Sequence, residues 1–124
     1  GRDDRQVVAI IGDGSSLYAS EALWSAVHHA ARLLLVVLSN RRYATLNAAA
    51  TRLTGEPMAA FTLEPPVLDF AGLAALYGLD FMRAASADDL TAALRRLGGR
   101  APRSTLLELQ LDPASEPLTA ARHF

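Results

Sequence analysis

Val7-Val8-Ala9-Ile10-Ile11 is a short, β-branched, unbroken apolar run that stops at Gly12-Asp13-Gly14. A run without alternation predicts a strand buried on both faces. Ser15 to Ala19 reads as a loop or helix entry, and Ser20 and Glu21 carry helix-start chemistry. Leu23, Trp24, Val27, Ala30 and Ala31 follow at helical spacing as one apolar stripe. Leu33 to Leu38 repeats the pattern of a buried strand and ends at Ser39-Asn40. The spacing then predicts a helix over 43–53, with Leu46, Ala49, Ala50 and Leu53 on one side and Gly55 as its stop. A proline-bearing loop covers 56–67. Asp69 caps a short helix over 70–77 that Gly78 closes. A weaker strand over 79–84, a helix from Ser86 through Leu97, and a strand over 104–111 with partial alternation complete the pattern. A tail starts at about residue 113. Apolar strands alternating with helices predict an α/β fold: a parallel sheet with helices on both faces, three layers α/β/α.

Composition narrows the chemistry. The 124 residues are enough for one domain with a core and too few for two. The formal net charge of −1 points to no nucleic-acid or membrane-surface partner. There is no lysine, which removes Schiff-base chemistry and a P-loop lysine. The lack of cysteine excludes disulfides, thiolate nucleophiles and zinc–thiolate sites. The longest apolar run, Leu33 to Leu38, is too short to span a bilayer, and Arg2-Asp3-Asp4-Arg5 does not read as a signal peptide. A cytoplasmic location is the default expectation.

Ligands of open parallel sheets bind beyond the carboxyl ends of the strands. The two most polar strand ends are Gly12-Asp13-Gly14-Ser15 and Ser39-Asn40, and they lie side by side if their strands are neighbours. A diphosphate held through Mg²⁺ needs hard oxygen ligands in near-octahedral geometry. Asp13 offers a carboxylate and Asn40 an amide oxygen. Gly12 and Gly14 permit a sharp turn and a close approach. The amides of Gly14 and Ser15, near a helix start, favour an anion. Each residue also has a plainer use: Asp13 as a turn residue, Asn40 and Ser15 as helix caps.

The order Gly12-Asp13-Gly14-Ser15, helix, apolar strand, Ser39-Asn40 resembles the thiamine diphosphate signature, which is Gly-Asp-Gly, a similar interval and Asn-Asn. Ala22-Leu23-Trp24-Ser25-Ala26, Ser39 through Leu46, Asp69 through Gly78 and Leu106-Leu107-Glu108-Leu109 are similar to segments of the benzoylformate decarboxylase and acetohydroxyacid synthase group. The likeness runs nearly to Asp112. It implies that the chain is the C-terminal diphosphate-binding domain, N-terminally incomplete, of a thiamine-diphosphate-dependent 2-keto-acid decarboxylase. It implies Mg²⁺ on the side chains of Asp13 and Asn40 and on the main-chain carbonyl of Arg42. Gly12, Gly14 and Ser15 would line the diphosphate, with Tyr43 and Leu46 near the cofactor or substrate.

The implied partners are the pyrimidine-binding domain of the same or a neighbouring subunit, a 2-keto-acid substrate and further copies of the chain. No catalytic residue is expected here, and the isolated chain is expected to be inactive. Two departures stand out: Ser39 replaces the first Asn of the pair, and Ala49 occupies a place where benzoylformate decarboxylase carries a bulky aromatic group. The competing readings are an acetolactate-synthase-like carboligase portion and a non-catalytic α/β interaction domain. His28 and His29 read as surface or packing residues, Trp24 as core or domain-interface packing, Arg41-Arg42 as solvent-exposed, Asp88-Asp89 as first-turn charge and Glu108 as an exposed strand residue.

Overall fold

A computed structural model describes residues 5–18, 20–56, 58, 61–98 and 103–113. Among the described residues, four strands form one all-parallel sheet: β1 (Val7–Gly12), β2 (Leu33–Ser39), β3 (Asp80–Ala84) and β4 (Thr105–Gln110). Their spatial order is β1-β2-β4-β3, so the last strand in sequence lies between the second and third. Among the described residues, five helices accompany them: α1 (Asp13–Ser16), α2 (Glu21–His28), α3 (Ala44–Thr54), α4 (Phe70–Tyr77) and α5 (Ala87–Arg96). The expected tail beyond 113 lies outside the described residues.

The pleat divides the core in two, because successive side chains point to opposite faces. Leu35, Val37 and Leu106 pack with Leu23 of α2 and with Phe70 and Ala74 of α4. Leu34, Ala84 and Leu107 pack on the other face with Ala93 of α5 and with Leu97. Helices therefore cover both faces, in three layers.

Helix ends follow their residues. Asp69 accepts from the Gly72 amide at 3.0 Å, and Ser86 Oγ accepts from the Asp89 amide at 3.1 Å. These side chains satisfy first-turn amides that have no partner within the helix. Gly55 and Gly78 close α3 and α4 at φ +82° and +75°, where a side chain is strained.

Three expectations need correction. β1 is not buried on both faces: Val7, Val8 and Ile10 are 55%, 57% and 64% exposed, since among the described residues β1 is an edge strand paired with β2 alone. The α2 stripe is shorter than predicted. The helix ends at His28, so Ala30 and Ala31 lie beyond it, Ser20 makes no side-chain cap, and Trp24 is exposed and stacked on His28 at 4.6 Å. α3 buries none of its residues, and Leu53 is exposed. His28 and His29 are exposed, as expected. No described helix is long and apolar enough to cross a membrane.

Candidate cofactor site at the carboxyl ends of the strands

β1 and β2 run in register from Val7 opposite Leu33 to Gly12 opposite Leu38. Their carboxyl ends therefore meet, as the polar strand ends required. Gly12 ends β1 in an extended conformation, and α1 begins at Asp13. Asp13 is 3% exposed. Its Oδ1 accepts from the Gly14 amide at 2.8 Å, and its Oδ2 accepts from the Arg41 amide at 2.6 Å. The second bond ties the two corners together across 28 positions of sequence. The donor residue, Arg41, has a φ of +61°. That left-handed conformation is uncommon for a residue with a long side chain.

Asn40 is half-buried, and its Oδ1 accepts from the Arg42 amide at 3.3 Å, within its own turn. Tyr43, at φ −78° and ψ +65°, has the geometry of an inverse γ-turn. The Arg42 carbonyl accepts from the Ala44 amide at 2.9 Å. The segment 41–43 is braced from the far side. Tyr43 N–H donates to the Phe61 carbonyl at 2.8 Å, Leu63 N–H to the Arg41 carbonyl at 3.0 Å, and Arg42 bridges Thr62.

Gly14 is buried beneath the Tyr43 ring, and a Cβ there would overlap ring carbons. The glycine thus serves close packing within the chain as well as any approach of a ligand. Partial burial, then the Tyr18 phenol and the Asp13 carboxylate, hold the Tyr43 phenol above its ordinary pKa. Ser15 is exposed on α1, and Leu46 is 47% exposed in the first turn of α3. The structure brings Asp13, Gly14, Arg41 and Tyr43 into contact. Asn40 and the Arg42 carbonyl sit on the adjoining turn, and Ser15 and Leu46 flank it from exposed positions.

Asp13 opens on a cavity of about 180 Å³ that continues the α2/α4 face of the core past the sheet's end. Ser39, Arg41, Leu63, Glu64, Arg83, Glu108 and Gln110 are among its walls. Glu108 corrects an expectation: it is 4% exposed, and Arg83 Nε donates to its Oε2 at 2.8 Å. The partial alternation of its strand suggested an open face, but β4 is central, and the residue's face is covered. A charge inside an otherwise apolar strand was the signal that could have identified it. Arg41 Nε lies 3.5 Å from Glu64 Oε1, with both side chains partly exposed.

Whether these groups suit a cation is decided by Asp13. The two cavity arginines are matched to Glu64 and Glu108, whereas no ion pair reaches Asp13 among the described residues. A buried carboxylate held by two amides alone is under-neutralised. The Asn40 amide oxygen and the Arg42 carbonyl beside it are hard oxygen donors of the kind Mg²⁺ takes. The residues fit the metal. No group of three or more His, Cys, Asp or Glu side chains suited to a metal occurs among the described residues, so such a site would depend on the amide and the main-chain oxygen.

Comparison with known proteins identifies the family. The family model of the thiamine pyrophosphate enzymes, C-terminal TPP binding domain, matches residues 1–109. Benzoylformate decarboxylase of Pseudomonas aeruginosa is 40% identical over 91 residues, covering 73% of this chain and 17% of that protein. The thiamine diphosphate-dependent 4-hydroxybenzoylformate decarboxylase of Rhodococcus jostii RHA1 superposes with a TM-score of 0.78 at 32% identity, over 88% of this chain and 20% of its own. Benzoylformate decarboxylase from Polynucleobacter necessarius shares the fold, with a TM-score of 0.78 at 23% identity, over 93% of this chain and 21% of its own. The chain thus spans about one fifth or less of the length of these relatives.

Proposed function

The chain belongs to the thiamine pyrophosphate enzymes, as their C-terminal cofactor-binding domain, and on that premise we propose that it holds the diphosphate end of thiamine diphosphate through Mg²⁺ within a 2-keto-acid decarboxylase. The observation that carries the proposal is the buried Asp13 carboxylate, tied to the Arg41 amide and lacking a cationic side chain among the described residues. The Asp13 and Asn40 side chains and the Arg42 carbonyl are the proposed metal ligands. Gly12, Gly14 and Ser15 are the proposed diphosphate contacts, and Tyr43 and Leu46 border the cofactor.

Within this reading each residue has a defined task. Asp13 supplies the negative charge that draws the cation, and its two amide bonds fix the direction of both oxygens. The Asp13 carboxylate would hold the metal, and the Gly14 amide beside it would face the negative charge of the diphosphate. The Tyr43 ring, packed on Gly14, keeps the turn from opening. The bound cofactor supplies the electron sink for loss of CO₂ from a 2-keto acid, and the protein supplies position. The relatives named benzoylformate decarboxylase favour a decarboxylase over a carboligase, and an aromatic 2-keto acid is the first substrate to try. The pyrimidine-binding domain, further copies of the chain and a cytoplasmic setting belong to the same proposal.

The test uses the full-length protein that contains this domain. Thiamine diphosphate with Mg²⁺ should raise its melting temperature, and a hundredfold excess over Kd corresponds to about 2.7 kcal/mol. EDTA or Asp13→Ala should remove the Mg²⁺-dependent part of the shift. A shift that survives both would refute the ligand assignment.

A further inference from the structure

The proposed function leaves a buried charge on the central strand unused. Glu108 lies on the central strand β4, in register with Val37 on one side and Arg83 on the other. It shares the α2/α4 face with Leu106, two residues earlier on the same strand. Burying a carboxylate there is costly, and an apolar residue of similar volume would satisfy the core at least as well. Arg83 reaches it at 2.8 Å, and the arginine is itself half-exposed, with its guanidinium carbon 5.3 Å from the centre of the Phe81 ring. Both residues line the cavity that Asp13 opens on.

The charges of that cavity add up simply. Its walls carry three carboxylates, Asp13, Glu64 and Glu108, and two guanidiniums, Arg41 and Arg83. The arginines are matched to Glu64 and Glu108, which leaves the charge of Asp13 as the local excess. Such a balance is sensitive, because Asp13 and Glu108 are buried, and charges withdrawn from water feel one another over several ångströms.

We propose that Arg83 and Glu108 are a positioning pair that sets the electrostatic balance of the cation–diphosphate site. Glu108 increases the attraction of the site for a divalent cation at Asp13, and Arg83 increases its attraction for the diphosphate. The inference rests on the reading of Asp13 as the cation ligand. A purely structural pair would link β3 to β4 and nothing more. Its loss would weaken both ligands together through a loosened site. An electrostatic pair moves the two ligands in opposite directions.

Calorimetric titration of the full-length protein with Mg²⁺ alone and with inorganic pyrophosphate alone separates these cases. Glu108→Gln should weaken Mg²⁺ and tighten pyrophosphate, each by roughly threefold to tenfold. Arg83→Met should reverse both signs, and the double variant should return near the wild type. If Arg83→Met fails to fold around an unpaired buried carboxylate, Glu108→Gln and the double variant still decide the matter. Affinities that fall together in Glu108→Gln, or that do not change, overturn the proposal while leaving Asp13 as the ligand. A wild-type Mg²⁺ affinity indifferent to Asp13→Ala overturns both.

Discussion

Strands β1 and β4 invert the ordinary relation between hydropathy and burial. β1 reads Val-Val-Ala-Ile-Ile, yet Val7, Val8 and Ile10 are open to solvent; β4 reads Thr-Leu-Leu-Glu-Leu-Gln, yet Thr105 and Glu108 are buried with Leu106 and Leu107. The cause is position. Among the described residues, β1 has a neighbour on one side only, whereas β4 is flanked by β2 and β3 and covered by helices on both faces. A residue's burial is decided by what stands beside its strand, and its own polarity is a weaker guide. The two strands also contribute to the site differently: β1 through its end, at Gly12 and Asp13, and β4 through a side chain of its body.

The widest separation between them should come from truncating each in its middle. Leu106→Ala should cost about 2–5 kcal/mol, because a fully buried side chain leaves a cavity. Ile10→Ala on β1 should stay within about 1 kcal/mol in urea unfolding of a protein whose β1 face is open as described here. Comparable losses at the two positions would mean that β1 is covered in the full-length protein.

The end of β1 should behave unlike its middle. Gly14→Ala forces a methyl into the Tyr43 ring and should cost about 1–3 kcal/mol, with cofactor affinity lost in parallel. Tyr43→Ala should rescue much of the stability in the double variant, and additive losses would disprove the contact.

A smaller effect is expected where the chain turns from β3 into α5, which covers the other face of β4. Ser86→Ala should cost about 1 kcal/mol at neutral pH through the lost cap. The Ser86 hydroxyl, followed by the Ala85 amide, holds the Asp89 carboxyl below its ordinary pKa. A depressed acid stabilises the fold above its unfolded pKa of 3.8 and loses that contribution as pH falls through the folded value. The gap between wild type and variant should therefore narrow on acidification below about pH 4. A gap independent of pH would remove Asp89 from the explanation.

The smallest change should come from Arg41→Gly. Relief of the left-handed backbone is worth about 1 kcal/mol, and the exposed contact to Glu64 is worth less, so the variant should be slightly more stable. Its amide still reaches Asp13, so Mg²⁺ affinity should not fall. A clear loss of affinity would give the Arg41 side chain a role that its contact with Glu64 does not explain.

Much of the architecture was legible because strand and helix periods differ and because Asp69, Ser86, Gly55 and Gly78 mark helix ends by their own chemistry. The corner at Asp13 and Asn40 was legible as the most polar pair of strand ends. Glu108 was not, since sequence order does not reveal that the last strand inserts between the second and third. Nor was the bond from the Arg41 amide to Asp13, because a main-chain donor looks the same at every residue and only the backbone turn selects it. The exposure of β1 was misread for the same reason as Glu108: an apolar run states what a strand tolerates, and its neighbours decide what it meets.

The metal assignment is open to direct observation. Crystals of the full-length protein grown with thiamine diphosphate and Mn²⁺ in place of Mg²⁺ would locate the ion by its anomalous scattering. The expected peak lies about 2.1 Å from an Asp13 carboxylate oxygen, Asn40 Oδ1 and the Arg42 carbonyl oxygen. A peak that touches none of the three, with the cofactor's diphosphate bound, would contradict the site.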